Sequence, residues 1–155
     1  WGAGISTSQS DNIAIGAYTL YNVEGSDNIS IGQSAGINAT GSKNIAIGLS
    51  AGQGDSGENN IAIGQSAGGQ TSGSNNVIIG YNQDVAKTAG DDQLVIGSGD
   101  TKWISGNSDG WVGIGTTAPD ALLSVNGDLT VSGVATIPQI DISAISLNVV
   151  ALGWG

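Results

Sequence analysis

The sequence has no cysteine, no histidine, no methionine and no phenylalanine, and only two prolines in 155 residues. Without cysteine there is no disulfide and no thiolate metal site. Without histidine, a serine nucleophile has no imidazole base. Basic residues are almost as scarce. Lys43, Lys87 and Lys102 stand against 13 acidic residues, for a formal net charge of −10. That balance excludes a nucleic-acid backbone, which needs a basic footprint, and an anionic membrane surface. It suits solubility and mutual repulsion between particles. The longest apolar stretch, Ile137 to Leu152, contains Asp141 and is too short to span a bilayer. The lack of methionine is expected of a processed product or a piece of a longer chain.

Glycine is what the chain has in excess, with 27 residues. Many glycines beside few prolines imply tight turns, not a Pro-rich linker. Those turns punctuate a repeat. Asn12-Ile-Ala-Ile-Gly16 recurs as Asn28-Ile-Ser-Ile-Gly32, Asn44-Ile-Ala-Ile-Gly48, Asn60-Ile-Ala-Ile-Gly64 and Asn76-Val-Ile-Ile-Gly80, in steps of sixteen. Gly25, Gly41, Gly57 and Gly73 keep the same step, and Gln93-Leu-Val-Ile-Gly97 comes one inserted residue later. Large and small residues alternate with period two, which marks a strand. Sixteen residues cannot hold strand, crossover helix and strand, and glycine and asparagine are poor helix formers. The economical solution is an all-β solenoid of about six coils with parallel strands stacked in register.

Two internal columns are then expected, Ile13, Ile29, Ile45, Ile61 and Val77, and Ile15, Ile31, Ile47, Ile63 and Ile79. An amide ladder of Asn12, Asn28, Asn44, Asn60 and Asn76 is expected at the corner. Such a coil is thin. Two isoleucines per rung contribute roughly 3–6 kcal/mol, less than the ordering of sixteen residues costs. Side-by-side association of several chains would make up the difference.

The repeat N-I-A-I-G-x-x-A-x-x-x-x-G resembles the head repeats of trimeric autotransporter adhesins, from about Ser10 to Gly97. The resemblance implies a left-handed parallel β-roll and a homotrimer. Two coils depart from it, with Ala17-Tyr-Thr-Leu20 and Tyr81-Asn-Gln-Asp84 in the second arm, and these are expected to bulge or cap. Further on, Thr101-Lys-Trp-Ile-Ser-Gly106, Gly110-Trp-Val-Gly-Ile-Gly-Thr-Thr-Ala-Pro119 and Leu123-Ser-Val-Asn-Gly-Asp-Leu-Thr-Val-Ser-Gly133 resemble a module of phage tail fibres that links a β-rich shaft to a distal part.

Several apparent motifs have a plainer structural reading. Gly32-Gln-Ser-Ala-Gly36, Gly48-Leu-Ser-Ala-Gly52 and Gly64-Gln-Ser-Ala-Gly68 match the G-x-S-x-G nucleophile turn, but they recur once per coil in a chain without histidine. Gly113-Ile-Gly-Thr-Thr-Ala118 matches a dinucleotide fingerprint, yet Pro119-Asp-Ala-Leu-Leu123 can supply only a short turn in place of the helix such a site needs. Asp55-Ser-Gly-Glu58, Asp91-Asp92 and Asn107-Ser-Asp-Gly110 lack EF-hand spacing and read as solvated turns. Asn28-Ile-Ser30 and Asn38-Ala-Thr40 match the glycosylation sequon by chance. Tyr81, Trp103 and Trp111 near the end of the roll are either caps or sugar-stacking contacts. Trp1 and Trp154 are candidates for head-to-tail contact between segments.

The expected organisation is a lead-in over 1–9, the roll over 10–99, a connector or cap over 100–121 and a β-rich neck or shaft over 122–155. Neck strands are expected at Leu123–Val125, Leu129–Val131, Val134–Ile137, Ile140–Ile142 and Ile145–Leu147. The function these readings imply is a structural and receptor-binding segment of a trimeric phage tail fibre engaged in host attachment and located on the virion. The alternatives are a bacterial adhesin head at the cell surface and an extracellular filament subunit. Expected partners are two further copies of the chain, a host receptor or glycan, and neighbouring virion or fibre proteins. Neither catalysis nor a cofactor or metal is expected, nor binding to nucleic acid or insertion into a membrane.

Overall fold

A computed structural model describes residues 10–69, 71–85 and 89–133. The expected lead-in, Trp1, Trp154 and the neck strands beyond residue 133 lie outside the described residues. The described chain is all-β with no helix. Nine strands form one sheet in chain order: β1 (Ile13–Ile15), β2 (Ile29–Ile31), β3 (Ile45–Ile47), β4 (Ile61–Ile63), β5 (Val77–Tyr81), β6 (Leu94–Ser98), β7 (Thr101–Gly106), β8 (Val112–Ile114) and β9 (Leu123–Val125). The first six pair in parallel and enclose five turns of a β-solenoid. Their register is the repeat itself, with Ile13 beside Ile29, Ile29 beside Ile45, Ile45 beside Ile61 and Ile61 beside Val77.

Two sets of glycines make the coil closable. Gly16, Gly32, Gly48 and Gly64 directly follow their strands and Gly80 lies within β5, all at φ between +128° and +136°, a region open in practice only to glycine. Gly25, Gly41, Gly57 and Gly73 sit at the opposite corner because coils meet there backbone to backbone. A Cβ on any of them would lie 1.8–1.9 Å from a carbonyl oxygen of the next coil.

The stacked isoleucines face away from the coil interior, which corrects the expected internal columns. The enclosed residue of each strand is the one between them, small in β1 to β4 and larger in β5 and β6. Ser30, Ala46, Ala62, Ile78 and Val95 are 1–3% exposed, whereas Ile13 and Ile15 are 51% and 57% exposed. The reason is space. A Cβ added to Gly52 would lie 3.0 Å from the Ala46 methyl, and one on Gly68 would lie 2.9 Å from the Ala62 methyl. A lumen that has no room for a methyl group cannot admit two isoleucines per turn.

The interior thickens only towards its ends. In the first coil Leu20 takes the glycine position at φ +51° and buries itself with Val23 over Ala39. In the fifth, Gln83 replaces the alanine of Ala35, Ala51 and Ala67, and its amide donates to the Gly99 carbonyl. Ile78, Val85 and Val95 fill the space beside it. The two coils that depart from the repeat therefore keep its path and plug its ends.

Past Gly97 the chain reverses. β7 pairs antiparallel with β6, with a bulge at Trp103, then β8 pairs antiparallel with β7 and β9 parallel with β8. The expected connector over 100–121 is thus two more strands of the same sheet. Leu129–Val131, expected to be a strand, is irregular.

Candidate interaction surface

The solenoid has three surfaces with distinct chemistry: the outward face of the sheet, the corner that carries the asparagines, and the return arm. The corner is the stitching. Each Asn side chain reaches the next coil twice. Its Oδ1 accepts from the next Asn backbone N–H, at 2.8 Å for Asn12 to Asn28, Asn28 to Asn44 and Asn44 to Asn60, and at 2.9 Å for Asn60 to Asn76. Its Nδ2 donates to the carbonyl of Gly25, Gly41, Gly57, Gly73 or Gly90 at 2.9–3.1 Å. The expected ladder is therefore present, running from side chain to backbone. Asparagine is required because one short group must offer an acceptor and a donor at once. Asn28 is buried in this stitching, so its sequon serves structure.

The outward face is the apolar one. Extending the register through all nine strands gives one column of Ile13, Ile29, Ile45, Ile61, Val77, Leu94, Gly106, Val112 and Leu123. A second column holds Ile15, Ile31, Ile47, Ile63, Ile79, Ile96, Ile104, Ile114 and Val125. Every position but Gly106 is aliphatic, and none is charged. At ~4.8 Å per strand the stripe runs about 38 Å. It is most open towards its ends, where Ile13 is 51%, Ile15 57%, Ile114 44% and Leu123 57% exposed, while its middle members are half-buried. The sixteen-residue motif announces only the first part of this stripe. Ile104, Val112, Ile114, Leu123 and Val125 lie outside the period, and pairing alone adds them.

The return arm carries a polar groove of about 700 Å³ lined by Asn38, Ser50, Gln53, Ser66, Asn82 and Asp84, among others. The serines of the three G-x-S-x-G matches, Ser34, Ser50 and Ser66, stack along this arm at φ +54° to +58°. Among the described residues no helix succeeds any of them, nor the turn after Gly113.

One acid is buried among the described residues. Asp55 occupies the interior column of Val23, Ala39 and Thr71 and is 3% exposed. Its Oδ1 accepts from the Gly57 N–H at 3.2 Å and the Asn60 amide at 3.3 Å. Burial pushes its pKa up to about 7 against those two bonds, and the Asp84 charge adds to the rise. Asp84 is raised as well, chiefly by burial, although Lys102 opposes it. Thr71 donates to Asp84 at 3.3 Å, and the Lys102 ammonium donates to the Asp84 backbone carbonyl. Glu58 is exposed, so it does not join Asp55 in a cation site. Among the described residues no cluster of three or more such ligands exists.

The aromatic candidates do not converge. Tyr81, 56% exposed, lies opposite Ser98 at one end of β6. Trp103, 55% exposed, bulges near the same end. Trp111 is half-buried at the other end, before Val112, whose partner Gly106 pairs with Leu94. No helix of the described residues is long and apolar enough to cross a membrane. No protein-family model, curated protein or solved structure matches this chain.

Proposed function

We propose that the chain is a structural and receptor-binding segment of a trimeric fibre of the phage tail-fibre kind, in which three copies pack their aliphatic stripes around a common axis. One observation carries this reading: an uncharged apolar stripe runs the length of the nine-strand sheet while the middle coils behind it enclose only small or polar residues such as Ser30, Ala46, Asp55 and Thr71. A continuous, partly open apolar stripe rimmed by polar residues is the mark of an interaction surface. Burying its seventeen aliphatic side chains would contribute about 1 kcal/mol each, on the order of 15 kcal/mol per copy. The middle coils have no other apolar reserve, since Ala35, Ala46 and Ala51 form their entire buried cluster. Three short strand-edges of two isoleucines each suit a three-fold axis, and the resemblance of residues 101–133 to fibre modules favours a virion over a cell surface. The role is mechanical. A stiff rod holds binding surfaces at a fixed distance, and three copies of a weak contact act together.

Sedimentation equilibrium of the chain tests the reading. A trimer of 15.3 kDa subunits is expected, and a monomer at micromolar concentration would sink it.

A further inference from the structure

Resting on that reading, we propose that the site of ligand contact is a cleft beside Trp111, where the solenoid stops and the β7–β8 hairpin folds back, and that it takes a neutral oligosaccharide. Two hollows adjoin there, of about 490 and 290 Å³. Both are walled by Asp92, Leu94, Gly106 and Asn107. The first extends to Thr117 and Pro119, and the second, a shallower hollow, to Trp111 and Asn75. Together they fall in the range of small-ligand sites and have the composition of one, an apolar wall with a few convergent polar groups.

The cleft exists because of one residue. Gly106 is the single gap in the outward aliphatic stripe, and a Cβ there would lie 3.1 Å from the Leu94 Cβ. An aliphatic side chain at that position, as in every other strand, would fill the hollow. Trp111 is held from both sides by Asn107. Its backbone N–H donates to Asn107 Oδ1 at 3.1 Å, and its carbonyl accepts from the Asn107 N–H at 3.2 Å. Asn107 Oδ1 also accepts from the Asp109 N–H, which orients the side-chain amide nitrogen as a donor. Asp92 is fixed through Oδ1 by the Asn75 amide at 3.1 Å, so the carboxylate is positioned at little entropic expense.

An aromatic ring, a carboxylate acceptor and an amide donor in one hollow match the two sides of a pyranose, its C–H face and its hydroxyl rim. The charge of the cleft selects among sugars. Asp91 and Asp92 line it, and no lysine of the described residues does. Sialylated, sulfated and phosphorylated polymers would meet repulsion, whereas neutral hexoses and N-acetylhexosamines would not. The larger polar groove of the return arm has no aromatic wall, and Tyr81 and Trp103, 56% and 55% exposed, line neither of the two hollows. Leu94 and Val112 belong both to the stripe and to the cleft, whose other lining residues, among them Asn75, Asp92, Asn107 and Trp111, lie beside the stripe.

The test is binding of the full chain to an array of immobilised neutral, sialylated and sulfated oligosaccharides, with sedimentation run on the same samples. Binding to neutral glycans is expected, weakened at least tenfold by Trp111→Ala and by Asp92→Asn and unchanged by Trp103→Ala. Asp92→Asn preserves shape and the bond from Asn75, so it guards against loss through misfolding. The proposal is overturned if no neutral glycan binds, if only anionic ones do, or if both cleft variants bind like the parent chain. A trimer without glycan binding removes the cleft and leaves the fibre reading standing. A monomer removes the fibre reading whatever the array shows.

Discussion

Each strand of the solenoid has an inner and an outer side, and the two sides divide the work of folding between them. Inside, Ser30, Ala46 and Ala62 leave no space and bury little area. Outside, pairs of isoleucine offer a larger area, which their stacked neighbours cover only in part within one chain. The inner side decides whether a coil closes, because closure is a matter of backbone approach. The outer side decides whether the closed coil is stable, because only there is enough apolar surface available. Shape and stability therefore depend on alternate residues of the same three-residue strand.

The sharpest way to break this division is a charge on the outer side. Ile47→Asp should leave the coil able to close but place a carboxylate in the middle of the packed stripes. The expected penalty is about 5 kcal/mol per copy or more, read by sedimentation as a shift from trimer to monomer. Retention of the trimer would show that the stripe is not the interface.

The next test concerns the one charge the inner side already holds. The folded Asp55 carboxyl titrates at about 7, from an ordinary value of 3.8. Below about pH 4 both folded and unfolded forms are protonated, and the group has no effect. As pH rises from 4 to 7 the unfolded chain releases its proton first, so stability falls across that window. The Asp84 shift has the same sign. Asp55→Asn should flatten this slope and raise stability at pH 8 by on the order of 2–4 kcal/mol, measured by denaturant melts at pH 4, 6 and 8. A slope unchanged in the variant would rule out Asp55 as its source.

Two smaller changes address the corner and the lumen. Asn60→Ala removes the acceptor of the Asn76 N–H and the donor to the Gly73 carbonyl. Two buried polar groups lose their partners, for a loss of about 3 kcal/mol, which thermal melts would report. Ala46→Leu should cost about 2 kcal/mol through overpacking while the trimer persists, the reverse of the pattern expected at Ile47. Equal effects of the two substitutions on assembly would erase the distinction between the sides.

Much of this was legible in the spacing of residues. The step of sixteen sets the register of β1 to β5, and Asn12 through Asn76 mark a corner whose bonding stems from what one amide offers. The glycines at 25, 41, 57 and 73 announce a close approach, though not that the approach is to a carbonyl oxygen. The role of Asp55 was hidden because its column, Val23, Ala39 and Thr71, has no common chemistry to read as a repeat. The extension of the stripe by Ile104, Val112, Ile114, Leu123 and Val125 was hidden for a different reason. Once β7 reverses direction, pairing no longer keeps any constant spacing along the chain.

By itself the sequence determined that large and small residues would stack in separate columns one coil apart. Only the tertiary structure decided which column is enclosed. Alternation along a strand distinguishes two sides but is symmetric between them. The symmetry is broken by the width of the closed coil, and that width is set by how near the return arm approaches the strand, a distance no local pattern carries.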